Sequence, residues 1–375
     1  MRKRAVISIF WVLLVTMPSA LAEPLDLADD LAALVKDSPV PALAAAAVLD
    51  GEVVSQGAAG VRKVGESIGV TMQDQFHVGS CTKSMTAVLA AMMVEDGKLD
   101  WETTVAEVFP KVVIHPGFRE VTLEQLLSHT GGAPGEIAGP LWKSLWEAKG
   151  SAREQRRQLV AGVLKSPPVY QPGQGQEYSN AGFAIAGAMI ETRCGKSFEE
   201  LLKARLFGPL GMISAGFRAP ATPGMIDHPY GHVRGEEKVV AFDPEPTGDN
   251  PRAVAPAGAV HCSVGDLARD LSFHLSGDGG GLLSAEAMAR LHRPVKEKGF
   301  ALGWVVTQRD WAAGRVLTHA GTNTMFYAVM WVAPEKDFAA IALCNLGGKM
   351  GLQKCDEAIA FLVKKHLREK RGEEN

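Results

Sequence analysis

The chain has 375 residues, of which 46% are hydrophobic and 22% are charged, and its formal net charge is −3. This composition is that of an ordinary globular protein, and it excludes a disordered or fibrous chain. The mildly acidic balance argues against nucleic acid as a partner. The five cysteines are widely and irregularly spaced, so they do not form the framework of a small disulfide-stabilised scaffold, and two disulfides at most could form.

The first 22 residues differ from the rest of the chain. Three basic residues at positions 2–4 precede an apolar run from Ala5 to Val15, and small residues follow at positions 20–22. This order is typical of a secretory signal peptide, so we predict cleavage after Ala22 and a periplasmic or secreted domain of residues 23–375. A membrane anchor is the alternative, but the apolar run is shorter than the roughly 20 residues that a spanning helix needs. Because no later segment is apolar and uninterrupted for long enough to span a bilayer, we expect no stable membrane insertion after cleavage.

Both ends of the mature chain contain β-prone segments. From Leu25 onwards, leucines at helical spacing predict an amphipathic helix, and the apolar run Pro41 to Leu49 is followed by Asp50-Gly51, a strong hairpin signal. Near the other end, a last helix from about Cys355 to Leu367 follows four β-prone segments: Phe300 to Thr307, Arg315 to Thr318, Met325 to Val332 and Phe338 to Leu343. Short loops between strands favour antiparallel pairing. We predict an α/β (α+β) fold with one antiparallel sheet, built from about residues 23–75 and 255–375 and flanked by the terminal helices.

The middle of the chain, about residues 80–254, has helical signals and Pro/Gly loops but no clear series of strands. The helical segments are Ser80 to Asp96, Leu123 to Ser128, Glu154 to Leu164, Ala181 to Thr192 and Phe198 to Leu206. The stretch from Ala219 to Pro256 is dense in proline, glycine and aspartate, and we expect irregular surface there. This pattern predicts a mainly helical subdomain inserted between the two sheet-forming halves.

The first candidate for chemistry is the segment Ser80-Cys81-Thr82-Lys83, at the start of a helix that is apolar on nearly every side. Such a helix is buried, and residues three apart share one of its faces, so the Lys83 ammonium can reach the Ser80 hydroxyl. Desolvation lowers the pKa of a lysine toward a useful value for a base, and a serine hydroxyl needs such a neighbour to become a good nucleophile. The alternative is a capped helix whose lysine reaches the surface.

A second motif, Tyr178-Ser179-Asn180, lies just before another apolar helix. A phenol beside a lysine can pass protons, and an asparagine amide can bind a substrate carbonyl. Taken alone, the motif would indicate a tyrosine that packs on the surface of a loop.

The third motif is His319-Ala320-Gly321-Thr322, at the end of the β-prone segment that begins at Arg315. A glycine there lets a ligand lie close to the backbone, and a polar neighbour can bind it. Taken alone, His319 would be interpreted as a surface histidine at a strand end.

In this order, the Ser-x-x-Lys, Tyr-x-Asn and His-x-Gly motifs resemble those of the serine β-lactamase and penicillin-binding protein superfamily. They are most similar to its branch of class C β-lactamases, D-Ala-D-Ala carboxypeptidases and related esterases. Three further stretches look like recurrent features of that family: Leu126 to Gly132, Pro256 to Ala259 and Phe300 to Trp304. The resemblance covers most of the mature chain and implies a β-lactamase/transpeptidase-like fold.

The resemblance implies a serine hydrolase that works through an acyl-enzyme and needs no metal or other cofactor. Its substrate would be a small molecule or peptide, namely a β-lactam, a D-amino-acid peptide or a short ester. The residues implied are, for catalysis, Ser80, Lys83 and Tyr178 and, for substrate binding, Asn180, His319, Gly321 and Thr322. Either Lys83 or Tyr178 could be the base, and the backbone N–H groups of Ser80 and Thr322 would bind the oxyanion.

One departure from the family pattern bears on the substrate. His319 stands where class C β-lactamases usually carry lysine. Because imidazole is mostly neutral at pH 7, its attraction to a substrate carboxylate is weaker, which argues against efficient β-lactam hydrolysis.

Three other functions are alternatives. A non-catalytic penicillin- or peptidoglycan-binding sensor could keep the same cleft, since a fold alone does not guarantee activity. A different hydrolase fold is disfavoured because the chain has no Gly-x-Ser-x-Gly elbow. A metal enzyme could use His228 and His232, beside Asp227, but Pro229 and Gly231 disfavour the helix that would make the two rings converge. We interpret both as histidines of a surface loop.

Overall fold

The structure is a computed structural model, and it describes residues 23–246, 248–295 and 299–368. The predicted signal peptide at positions 1–22 lies outside these ranges, so its cleavage and the export of the protein stay predictions. Within these ranges, no helix combines the length and the apolar character that crossing a membrane requires.

Eight strands form the main sheet. In chain order, the strands of the described residues are β1 (Leu25–Asp26), β2 (Ala42–Leu49), β3 (Glu52–Gly60), β4 (Phe76–His77), β5 (Gly216–Phe217), β6 (Gly231–Arg234), β7 (Val239–Phe242), β8 (Val260–Cys262), β9 (Gly299–Phe300), β10 (Val305–Arg309), β11 (Gly314–Thr322), β12 (Tyr327–Ala333) and β13 (Phe338–Cys344). The order in the main sheet is β1-β3-β2-β13-β12-β11-β10-β9, and its neighbours are antiparallel except β1 and β3. The predicted sheet from both chain ends is confirmed.

Helices cover both faces of this sheet. In the described ranges they are α1 (Ala28–Val35), α2 (Thr82–Glu95), α3 (Val105–Val108), α4 (Leu123–Leu127), α5 (Gly139–Glu147), α6 (Ala152–Leu164), α7 (Asn180–Cys194), α8 (Phe198–Leu202), α9 (Ala255–Gly258), α10 (Val264–Leu275), α11 (Ala285–His292) and α12 (Gly348–Val363). Successive side chains of a strand point to opposite faces. In β2, Ala44 and Ala46 pack in the core that includes α2 and α10, whereas Leu43 and Ala45 pack in the core that includes α1 and α12.

Both terminal helices begin at residues other than those predicted. The expected helix at Leu25 is wrong by three residues: Leu25–Asp26 pairs with β3 as a parallel strand, and the Asp26 carboxylate accepts a hydrogen bond from the Ala28 N–H (2.9 Å), where α1 starts. The last helix begins at Gly348, seven residues before the predicted Cys355. In both cases the helical periodicity marks the buried face and not the first turn.

The stretch from Ala219 to Pro256 is not entirely irregular surface. It contains the hairpin β6–β7, and it buries His232, which we predicted to be a surface residue. The N–H of Val64 donates to His232 Nε2 (3.0 Å), and His232 Nδ1 lies 2.7 Å from the Asn345 carbonyl. Both ring nitrogens therefore have polar contacts that connect His232 to other segments of the chain. Among the described residues, no cluster of His, Cys, Asp and Glu side chains could hold a metal ion.

All five cysteines are free thiols, and four of them are buried. Cys81, next to Ser80, is a packing residue of the core beneath the sheet. Burial raises its pKa, so this thiol is protonated at neutral pH.

A buried arginine connects three parts of the helical region. The Arg156 guanidinium, on α6, donates to Glu191 (3.0 Å), Glu199 (2.8 Å) and the backbone carbonyl of Arg252 (3.1 Å). We expect Arg156→Ala to lower the free energy of unfolding by about 3–5 kcal/mol, because the buried Glu191 carboxylate would lose its partner. Urea unfolding of Arg156→Ala and of the exposed control Arg157→Ala tests this. Equal midpoints for the two variants would contradict it.

Candidate active site

Ser80 lies in a short 3₁₀ turn, Gly79–Cys81, that continues directly into α2. Gly79 has a φ of +52°, and a Cβ at that position would collide with the backbone nitrogen of Thr322 at the end of β11. Glycine is therefore required on both counts, for the left-handed backbone and for the close approach. The turn brings Ser80, from one half of the chain, against a strand from the other half.

The Lys83 amine is buried and has three polar neighbours. It lies 3.0 Å from Ser80 Oγ, 2.7 Å from Asn180 Oδ1 and 2.7 Å from the carbonyl oxygen of Ala257. Burial holds the pKa of Lys83 well below its usual range. Two of the neighbours can only accept hydrogen bonds, whereas the hydroxyl can also donate. A neutral amine, with two N–H groups and one lone pair, fits this set and can accept the Ser80 proton.

Tyr178 approaches the same two groups from the other side. Lys83 Nζ lies 4.6 Å from the centroid of its ring, and the Ser80 side chain is close enough to its hydroxyl to lower the pKa of the phenol. Burial raises the pKa of Tyr178, so the phenol is protonated at neutral pH. A protonated phenol can donate a proton to a leaving group more readily than it can take one from Ser80.

His129 supports Tyr178, and it is a residue that the sequence motifs did not single out. Its ring centroid lies 4.6 Å from that of Tyr178 and 4.7 Å from that of Phe300. Its Nδ1 accepts a hydrogen bond from the N–H of Ser179 (3.0 Å). Burial holds the pKa of His129 well below its usual range, so the ring is neutral. The one sequence signal was its position inside the stretch Leu126 to Gly132.

The end of β11 presents the third motif. His319 is buried, with its ring centroid 6.1 Å from that of Tyr178, and burial lowers its pKa to about 3. Its imidazole is therefore neutral, and it does not line the cleft in front of Ser80. Gly321 faces the nucleophile turn, where a Cβ would lie 2.7 Å from the Ser80 nitrogen. The backbone nitrogens of Ser80 and Thr322 are thus brought together by two glycines.

The cleft in front of Ser80 has a volume of about 320 Å³. Asn180 and Thr322 line it beside the nucleophile, and its apolar wall includes Trp142. Glu136 is the one charged side chain among the described residues that line it. The described lining therefore offers an apolar surface and a negative rim, and it includes no cationic side chain.

The close approach of Gly321 predicts a strong effect of one methyl group. We expect Gly321→Ala to lower kcat by about 10²-fold or more, because β11 must move away from the Ser80 nitrogen and separate the two oxyanion donors. Gly314→Ala, on the same strand, is the control, since a Cβ there would lie no closer than 3.6 Å to Glu335. Steady-state ester hydrolysis measures both variants. A kcat for Gly321→Ala within threefold of the parent would contradict this geometry.

Comparisons with known proteins identify the family to which the chain belongs. The family model described as Beta-lactamase matches residues 27–364. Penicillin-binding protein 4 of Amycolatopsis lactamdurans is 29% identical over 334 residues, which are 84% of this chain and 83% of that protein. Unguisins hydrolase ungD of Aspergillus violaceofuscus is 30% identical over 241 residues, 60% of this chain but 40% of that longer protein.

A solved structure shows the same fold. The D-amino acid amidase from Ochrobactrum anthropi SV3, complexed with L-phenylalanine, superposes with a TM-score of 0.73 at 20% identity, covering 90% of this chain and 98% of its own. Because the family model matches nearly the whole described chain, from α1 to the end of α12, this protein belongs to the β-lactamase family.

Proposed function

We propose that this protein is a serine hydrolase that transfers the acyl group of an amide or ester first to Ser80 and then to water. The observation that carries the proposal is the environment of the Lys83 amine. It is buried, it lies 3.0 Å from Ser80 Oγ, and its two other neighbours can only accept hydrogen bonds. Burial favours the neutral amine, and the two acceptors can take up its two N–H groups and leave its lone pair for the serine proton.

Acylation would use both neighbours of the serine. As Ser80 Oγ bonds to the substrate carbonyl carbon, its proton passes to Lys83, and the carbonyl oxygen becomes an oxyanion held by the N–H groups of Ser80 and Thr322. The tetrahedral intermediate then collapses, the bond to the leaving group breaks, and Tyr178 donates a proton to that group while Lys83 returns one to Tyr178. Water releases the acyl group by the reverse sequence of proton transfers.

The charge of the cleft supports a narrower substrate class. His319 is neutral and buried, and Glu136 is the charged residue at the rim, so the described lining provides no counter-ion for a substrate carboxylate. One protein of the same fold is a D-amino acid amidase, which supports an amide as the substrate. We propose that the substrates are neutral or cationic amides and esters rather than β-lactams or peptides with a free carboxylate.

Glu136 gives this substrate preference a direct test. D-Alanyl-D-alaninamide and D-alanyl-D-alanine differ by one carboxylate, and we expect kcat/KM to be about threefold to tenfold higher for the amide, as is usual for one exposed charge. Glu136→Gln should bring the ratio of the two kcat/KM values closer to one. Glu102 is exposed and is not a lining residue, so Glu102→Gln should leave this ratio unchanged. A ratio unchanged by Glu136→Gln, or a preference for the carboxylate, would contradict the assignment.

The acyl-enzyme is tested by measuring how its acyl group divides between water and a second nucleophile, hydroxylamine. p-Nitrophenyl acetate and phenyl acetate would give the same acetyl-Ser80, so in the presence of hydroxylamine both esters should yield the same ratio of acetohydroxamate to acetate. A ratio that depends on the leaving group would show that no common acyl-enzyme forms, and it would contradict the proposed reaction.

A further inference from the structure

The segment 248–250 forms a wall of the cleft that none of the three motifs includes. Asn250 lines the cleft together with Ser80, Asn180 and Thr322. The preceding residue, Asp249, is buried, which is unusual for a carboxylate in a loop rich in proline and glycine. A buried carboxylate needs a compensating partner, so the residue that faces Asp249 is informative.

That partner is His77, three residues before Ser80. The Nε2 atom of His77 lies 3.1 Å from Asp249 Oδ1, and neither side chain is more than 1% exposed. On the other edge of the ring, Nδ1 accepts a hydrogen bond from the N–H of Gly79 (3.0 Å). Because Nδ1 is an acceptor, the ring proton is on Nε2, the ring nitrogen that lies beside the Asp249 carboxylate. One imidazole thus joins the nucleophile turn to the segment 248–250.

The same segment is also tied to the oxyanion strand. Asn323, which directly follows Thr322, donates a hydrogen bond from Nδ2 to the Gly248 carbonyl (3.4 Å), and its Oδ1 accepts from the N–H of Phe326 (3.0 Å). Asp249 Oδ1 accepts from the N–H of Asn250 (2.7 Å), which fixes the backbone of the cleft-lining residue. The nucleophile turn, the end of β11 and the segment 248–250 therefore meet in one buried polar network.

We propose that His77 and Asp249 are positioning residues for the acyl transfer proposed above, on which this inference rests, and that Asn250 is the substrate-binding residue that they present. The Gly79 side of His77 holds the turn that carries Ser80. The Asp249 side holds the wall that contacts the substrate. The amide of Asn250 can donate to a carbonyl or accept from an N–H, so it suits the neutral amide group of a substrate.

Two conservative replacements of His77 separate its two contacts. In His77→Asn, the amide oxygen stands where Nδ1 was and can still accept from the Gly79 N–H, but nothing reaches Asp249. In His77→Gln, the longer amide reaches Asp249, but the Gly79 N–H loses its acceptor. His77→Gln keeps a polar group beside the buried carboxylate, whereas His77→Asn leaves Asp249 unpaired, so thermal unfolding of each variant accompanies the kinetics. Asn250→Ala tests the wall of the cleft without removing either partner of the buried pair.

We expect one His77 variant to change mainly kcat and the other to change mainly KM. His77→Gln should lower kcat by about 10- to 100-fold with KM within about threefold, because Ser80 is misplaced. His77→Asn should raise KM for D-alanyl-D-alaninamide by about tenfold with kcat within about threefold, because the wall that carries Asn250 is released. Asn250→Ala should raise KM similarly. The double variant His77→Asn/Asn250→Ala should raise KM no further than the single variant with the larger increase, because both changes remove the same contact.

The outcomes distinguish this inference from the proposed function. If the parent shows Ser80-dependent hydrolysis, but both His77 variants change only the unfolding temperature or change kcat and KM in parallel, the positioning role is overturned and the reaction stands. If Asn250→Ala leaves KM unchanged, the role of Asn250 is overturned. If the parent shows no Ser80-dependent hydrolysis, the proposed function fails, and the positioning role fails with it.

Discussion

Replacing Ser80 by alanine is expected to lower kcat/KM for p-nitrophenyl butyrate by about 10⁴-fold or more, because the nucleophile is lost and only the oxyanion donors and substrate binding remain. The matched control is Ser84→Ala. Ser84 lies one turn further along α2, is buried, and donates a hydrogen bond to the Cys81 carbonyl (2.9 Å). It is not among the described residues that line the cleft.

We expect Ser84→Ala to keep kcat/KM within about threefold of the parent, as for a substitution outside the reacting groups. The measurement is steady-state release of p-nitrophenol, with thermal unfolding of each variant to show that it is folded. If Ser80→Ala retained more than a tenth of the parent activity, Ser80 would not be the nucleophile.

Replacing Lys83 by arginine is expected to lower kcat/KM by about 10³-fold, because a guanidinium stays protonated in proteins and cannot accept the serine proton. Arginine keeps N–H donors at this position, so the variant separates the loss of a base from the loss of a hydrogen-bond donor. The exposed Lys98→Arg is the control and should leave kcat/KM unchanged.

The pH dependence of kcat/KM in the parent tests whether Lys83 acts as a deprotonated base. A base acts in its deprotonated form, so kcat/KM should rise with pH as Lys83 loses its proton and then level off. Since burial holds the pKa of Lys83 well below its usual range, the plateau should be reached below the pH at which an exposed lysine titrates. Lys83→Arg should lack this limb. A parent profile that still rises at the usual lysine pKa would contradict a neutral Lys83.

The sequence predicted the parts of the site that depend on local geometry. Ser80 and Lys83 are three residues apart, and helical spacing alone places the amine near the hydroxyl, at 3.0 Å in the structure. The continuous apolar runs next to turn signals likewise predicted β2 and β13, which are buried almost throughout in the central sheet. The proximity of Tyr178 and Asn180 to Lys83 came from the family resemblance, because no local rule joins residues so distant in the chain.

The rest of the site depends on long-range polar contacts, which leave no periodic signal in one sequence. The pair formed by His77 and Asp249 is an example, since each residue taken alone is an ordinary polar residue near a loop. His129 is another, because its role depends on the rings of Tyr178 and Phe300. His319 was expected to face the substrate, but it is buried, since the strand that carries it packs against the nucleophile turn.

The measurement that tests the central claim most directly is intact-mass spectrometry of the protein and of Ser80→Ala, quenched in acid during turnover of p-nitrophenyl butyrate. The account predicts a mass increase of one butyryl group on the parent, located by peptide mapping on Ser80, and no increase on Ser80→Ala. An adduct that persists in Ser80→Ala or maps to another residue would contradict the account. Absence of both adduct and turnover with this ester and with D-alanyl-D-alaninamide would instead favour a non-catalytic binding protein.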